Sequence, residues 1–97
     1  ASGFARYTPD TGALAWIDRT EPQYRGIRMN DGRVDRHGRF WAGSMVEDRK
    51  LAAGTGGSLY CLDGTTAKAK RQGIAISNAI CFSPDGRTMF VNLYSPT

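Results

Sequence analysis

The sequence predicts an all-β chain of the β-propeller type, and three observations carry that reading. Apolar and polar residues alternate over short stretches, as in residues 3–7 and 13–17, which is the period of a strand with one face buried. Between such stretches stand turn clusters, Thr8-Pro9-Asp10-Thr11-Gly12 first among them, whose Pro, Asp and Gly suit tight turns. The chain also repeats itself: Asn30 and Asn78, Gly38 and Gly86, and Arg39 and Arg87 are each 48 positions apart (78 − 30, and likewise for the others). A repeat of about 40 to 50 residues with four strands marks a propeller blade, so residues 1–97 are expected to form about two blades of one partial domain.

Taken in order, residues 3–7 and 13–17 make a first hairpin, and residues 18–25, polar and interrupted by Pro22, make a loop. The loop leads to Arg28, Asn30 and Asp31, a polar cluster placed directly before a second hairpin with strands at 32–35 and 39–45. Gly38 is available for the positive φ that a short hairpin loop commonly needs. Residues 46–56 begin polar and end in small residues, with room for one helical turn at most, and read as a loop crossing one face. Residues 57–64 resemble 3–7 one repeat later, and 67–72 supply their partner strand. Residues 79–82 and 88–93 flank the turn Ser83-Pro84-Asp85-Gly86-Arg87. No amphipathic helix pattern competes with these eight strands.

Composition narrows the function classes. The net charge of +4 comes from 13 basic and 9 acidic side chains, and seven of the basic ones fall between residues 25 and 50. That density is interleaved with Asp31, Asp35, Glu47 and Asp48, and Arg36 and Arg39 flank a turn where exposure is ordinary, so no nucleic-acid partner is expected. No run of 18 apolar residues and no signal-peptide pattern occurs, so no membrane partner is expected. Cys61 and Cys81 sit inside apolar strand patterns and lack paired metal-site spacing, which predicts buried, reduced thiols in a cytoplasmic protein. The start at Ala1 and the end after a strand read as a piece of a longer protein. Two blades cannot close a ring, so the remaining blades or an oligomer are expected to complete it.

Several motifs occur in order: Arg28-Met29-Asn30-Asp31-Gly32 with Asp35, Gly38-Arg39 and Trp41-Ala42-Gly43-Ser44-Met45, then Gly57-Ser58-Leu59-Tyr60, then Ile76-Ser77-Asn78 with Ser83-Pro84-Asp85-Gly86-Arg87. This ordered set resembles the family of regucalcin (senescence marker protein 30), gluconolactonases and related sugar lactonases, over nearly the whole chain. The resemblance implies a six-bladed propeller with a divalent metal ion (calcium, zinc, magnesium or manganese) at its centre. The implied activity is hydrolysis of a sugar-acid lactone to the open aldonic acid. A non-catalytic calcium- or sugar-binding propeller is the alternative, and the isolated chain is expected to be inactive.

Site residues follow from the same resemblance. Asn78 matches a metal ligand, and an amide oxygen is a hard neutral donor suited to such ions; the carboxylate ligands of the family fall outside this chain. Arg28 and Asn30 match residues that line the substrate pocket, where a guanidinium and an amide suit lactone and hydroxyl oxygens. Asp48 lies where relatives often carry an acidic substrate contact. Each has a plainer reading beside it: Asn78 as a turn residue satisfying backbone groups, Arg28 as an exposed ion-pair partner, Asn30 as a cap at the start of a blade. Asp31 reads as structural, bonding loop N–H groups, and His37 as a solvated turn side chain. Relatives usually carry Gly after the metal-binding Asn, where this chain has Ala79, and Asp where this chain has Tyr94. No Gly-x-Ser-x-Gly elbow is present, so a covalent serine route is not expected.

Overall fold

In the computed structural model, which describes residues 3–20, 26–52, 54, 56–74 and 76–94, the strands group into three antiparallel sheets. β1 (Phe4–Thr8) pairs with β2 (Ala13–Asp18). β3 (Ile27–Val34), β4 (Phe40–Val46), β5 (Gly57–Asp63) and β6 (Thr66–Ile74) follow one another in a four-stranded sheet. β7 (Ile76–Phe82) pairs with β8 (Met89–Tyr94). The expected two blades are therefore divided as one whole blade, β3 to β6, with half a blade on either side. The only helix among the described residues is the single turn α1 (Arg49–Ala52), within the stretch expected to be a loop. Most of the expected loop at 18–25 lies outside the described residues.

Strand alternation explains why the whole blade buries both faces. Neighbouring side chains on a strand point to opposite faces, so Ala42 and Tyr60 face one way and Trp41 and Leu59 the other. Ala42 and Tyr60 join Phe4 in one buried cluster, with Ile17, Met29, Leu62 and Ala67 packed around it. This cluster is the contact with β1 and β2. On the other face Leu59, Ile74 and Ile80 form a second cluster, with Trp41, Phe82, Met89 and Val91 around it, and this is the contact with β7 and β8.

The outward faces of the two half blades remain apolar and uncovered. Tyr7 and Leu14, register partners, are 61% and 60% exposed. Cys81 is exposed beside its partner Phe90. Of the two thiols expected to be buried, Cys61 is buried and Cys81 is not. The reason is the alternation again: Ile80 and Phe82 take the inward positions of β7, which turns Cys81 to the other face.

The two repeats agree in their turns. Gly38 and Gly86 both have positive φ (80° and 74°), and each donates its N–H to the residue three before it, Gly38 to Asp35 O and Gly86 to Ser83 O. At Gly57 the constraint is space: a Cβ there would collide with the Ser44 carbonyl oxygen. Ser44, fully buried, donates its hydroxyl to Ser58 O at 3.4 Å and accepts from Ser58 N at 2.8 Å. Between sheets, Asp18 Oδ2 accepts from Ala67 N at 2.7 Å, and Asp31 Oδ2 accepts from Ile80 N at 3.4 Å.

Candidate functional site

Of the expected site residues, Arg28, Asn30 and Asn78 sit on two bulged strands. In β3 the register passes from Met29↔Ser44 to Gly32↔Ala42, so Asn30 and Asp31 stand against a single residue of β4. In β7 it passes from Asn78↔Asn92 to Cys81↔Phe90, leaving Ala79 and Ile80 in the same situation. The polar cluster expected just before a strand thus lies within one, because the bulge lets β3 run on through it. A bulge interrupts the ladder and re-aims side chains, which suits a strand that must present polar groups. β3 and β7 pack against each other, so the two bulges face one another across the blade boundary.

Arg28 is exposed on β3, with its Nε on Glu47 Oε1 at 3.1 Å and its Nη1 on the Met29 carbonyl at 3.0 Å. It is an ion-pair partner in this state, and the two bonds fix the direction of its guanidinium. Asn30 is half-buried and engaged in an interaction of its own. Asn78 is exposed, and its Oδ1 accepts from Ala79 N at 3.0 Å. Asp48 begins α1: its Oδ1 accepts from Lys50 N at 2.9 Å and Leu51 N at 3.1 Å. That is helix N-cap geometry, so the structure gives Asp48 a local structural task and sets it on a different element from Arg28, Asn30 and Asn78. Ala79 has a φ of 52°, the left-handed region that costs a residue with a Cβ.

Sequence reasoning counted Asp35 among the ordered motifs but gave it no role. Its carboxylate, 7% exposed, accepts four hydrogen bonds: Oδ1 from His37 N at 2.8 Å and Arg39 N at 2.9 Å, Oδ2 from Arg39 Nε at 2.7 Å and Trp41 Nε1 at 2.9 Å. Burial pushes this carboxyl up, but the bonds from Trp41, Arg39 and His37 outweigh it and hold the group well below the usual carboxylate range. The signal was present as a short polar residue heading both turns, Asp35 in one repeat and Ser83 in the other. In the second turn Asp85 accepts from the Ser83 hydroxyl at 2.6 Å and from Arg87 N at 3.0 Å, and these bonds lower its pKa. Asp35 lies just past the end of β3, five residues on from Asn30. It therefore organises the turn and stands apart from the polar cluster.

A metal ion would find one donor of this set in the chain. The Asn78 Oδ1 already accepts from Ala79 N, and a carbonyl oxygen has a second lone pair that can meet a cation. The exposed amide therefore fits a single position in the shell of a hard ion. Among the described residues no group of three or more His, Cys, Asp or Glu side chains could hold a metal ion.

The family described as "SMP-30/Gluconolactonase/LRE-like region" matches residues 1–93. The chain belongs to this family. A 6-deoxy-6-sulfogluconolactonase of Pseudomonas putida is 42% identical over 59 residues, covering 60% of this chain and 19% of the relative. An L-arabinolactonase of Azospirillum brasilense is 36% identical over 92 residues, covering 93% of this chain and 30% of the relative. Among solved structures, a calcium-binding protein, regucalcin, from Agrobacterium tumefaciens superposes with a TM-score of 0.79 at 37% identity, over 94% of this chain and 30% of that one. The fold is thus that of the family's β-propeller, in antiparallel sheets amounting to about two blades. The chain spans less than a third of the length of these relatives. No helix among its described residues is long and apolar enough to cross a membrane.

Proposed function

We propose that these residues belong to a divalent-metal-dependent lactonase that opens a sugar-acid lactone to the aldonic acid. The observation that carries the reading is the family membership, whose named relatives include lactonases of sugar acids. The presence of Arg28 and Asn30 on β3 and of Asn78 on β7, a strand that packs against β3, supports it. In this account Arg28, oriented by Glu47 and the Met29 carbonyl, donates to ring and hydroxyl oxygens of the sugar. Asn30 gives and accepts toward a diol through its amide. Asn78 supplies one oxygen ligand, and the carboxylate ligands come from blades beyond this segment. A bound divalent ion supplies positive charge against the oxygen of the lactone carbonyl. Asp48 caps α1 through its Oδ1, so we assign it the cap first and the substrate contact second.

The uncovered apolar pairs Tyr7/Leu14 and Cys81/Phe90 support a ring completed by further blades or by other copies, since a blade ordinarily stacks both of its faces. Binding of an ion or sugar without turnover is the second reading, favoured by the relative described as a calcium-binding protein. An Asn78→Ala change in the complete protein separates them: loss of metal-dependent lactone hydrolysis supports the lactonase, and full retained activity contradicts the role of Asn78.

A further inference from the structure

We propose that Asp31 is a positioning residue whose carboxylate, through the backbone N–H of Ile80, fixes the β7 bulge that presents the Asn78 amide. The proposal rests on the reading of Asn78 as a metal ligand. Four observations carry it. The Asp31 Oδ2 to Ile80 N bond at 3.4 Å crosses from the whole blade to the next, joining one bulge to the other. Ile80 lies in the bulge of β7, where the ladder to β8 is interrupted, and its N–H donates to a partner outside the hairpin. The peptide just before it belongs to Ala79, at φ 52°, and a left-handed alanine persists only where its surroundings over-determine it. That same residue's N–H holds the Asn78 Oδ1 at 3.0 Å. Asp31, Ile80, Ala79 and Asn78 thus form one chain of constraint from the bulge with Asn30 to the amide on β7.

A second tie in the molecule provides the control. Asp18 Oδ2 accepts from Ala67 N at 2.7 Å, also between two sheets and also across 49 positions of sequence, but it joins β2 to β6, away from both bulges. If carboxylate ties between sheets only hold blades together, the two should behave alike.

The test is calorimetric titration of calcium, and separately of manganese, into the complete protein and its variants. Asp31→Ala should weaken metal binding by about 10- to 100-fold, the usual effect of removing a group that orients a ligand. Asp31→Asn, whose amide oxygen can still accept from Ile80 N, should restore most of the affinity, and Asp18→Ala should leave it unchanged. In the metal-free protein, Asp31→Ala should also speed hydrogen exchange at the Ile80 amide, a readout independent of activity. Metal affinity intact in Asp31→Ala but lost in Asn78→Ala overturns this proposal alone. Affinity intact in Asn78→Ala overturns the ligand reading and the proposal with it. Equal losses in Asp31→Ala and Asp18→Ala overturn it in favour of a general structural role.

Discussion

The indole N–H of Trp41 donates to Asp35 Oδ2 at 2.9 Å, binding the first strand after the turn to the carboxylate that heads it. With the bonds from Arg39 and His37, this makes Asp35 the organising group of the β3–β4 turn.

Asp35→Asn should lower the melting temperature more than Asp63→Asn does. An amide retains one acceptor oxygen, so donors that the carboxylate satisfied must lose partners or face an NH₂ group. Asp63 pairs with Lys68 at 3.3 Å on the open surface, both side chains more than half exposed, where an ion pair contributes little. Thermal unfolding of the two variants side by side measures the difference, and equal shifts would contradict the role given to Asp35.

Acid should destabilise the fold through the same group. The pKa of Asp35 is depressed in the folded state, so its contribution is fully present above the unfolded carboxylate value of about 3.9 and is lost as pH falls toward the folded value. Asp85 acts in the same direction. Urea midpoints between pH 7 and pH 2 should therefore fall mainly below about pH 4, and less steeply in Asp35→Asn.

Ile80→Ala should cost about 2–5 kcal/mol. Ile80 is 2% exposed and sits with Leu59 and Ile74 in the cluster joining the whole blade to β7 and β8. Urea unfolding checks it; a change no larger than that of an exposed site would contradict the packing.

Ala79→Gly should stabilise the protein by about 1 kcal/mol, because a glycine adopts φ 52° without the Cβ penalty. The same change should leave metal affinity in place, since the Asn78 to Ala79 N bond uses only backbone of residue 79. Unfolding midpoints and a metal titration on one preparation give both answers.

The hairpins were legible in sequence because alternation and turn chemistry are local: Gly38 and Gly86 fall at the positive-φ positions their turns require. Strand starts were not legible at β3 and β7, which begin several residues earlier than alternation indicates. A bulge breaks the period of two just where Asn30, Asp31, Ala79 and Ile80 stand. The repeat relates Asn30 to Asn78, but that both lie within strands of neighbouring sheets, β3 and β7, was not legible in it. What the site side chains bond to was not legible either, since Glu47 meets Arg28 only through the pairing of β3 with β4, and the cap made by Asp48 depends on a four-residue helix with a weak pattern. Asp31's partner lies 49 positions away, on the next blade. Such contacts arise from the stacking of blades and leave no local mark in the sequence.

The measurement that bears most directly on the proposed activity is acid release from a panel of aldonolactones by the complete protein, first stripped of metal by a chelator and then resupplied with calcium, zinc, magnesium or manganese. The lactonase account predicts a rate that vanishes with the chelator and returns with a divalent ion. No rate above the uncatalysed background with any lactone and any of these ions would contradict it, leaving a propeller that binds without turning over.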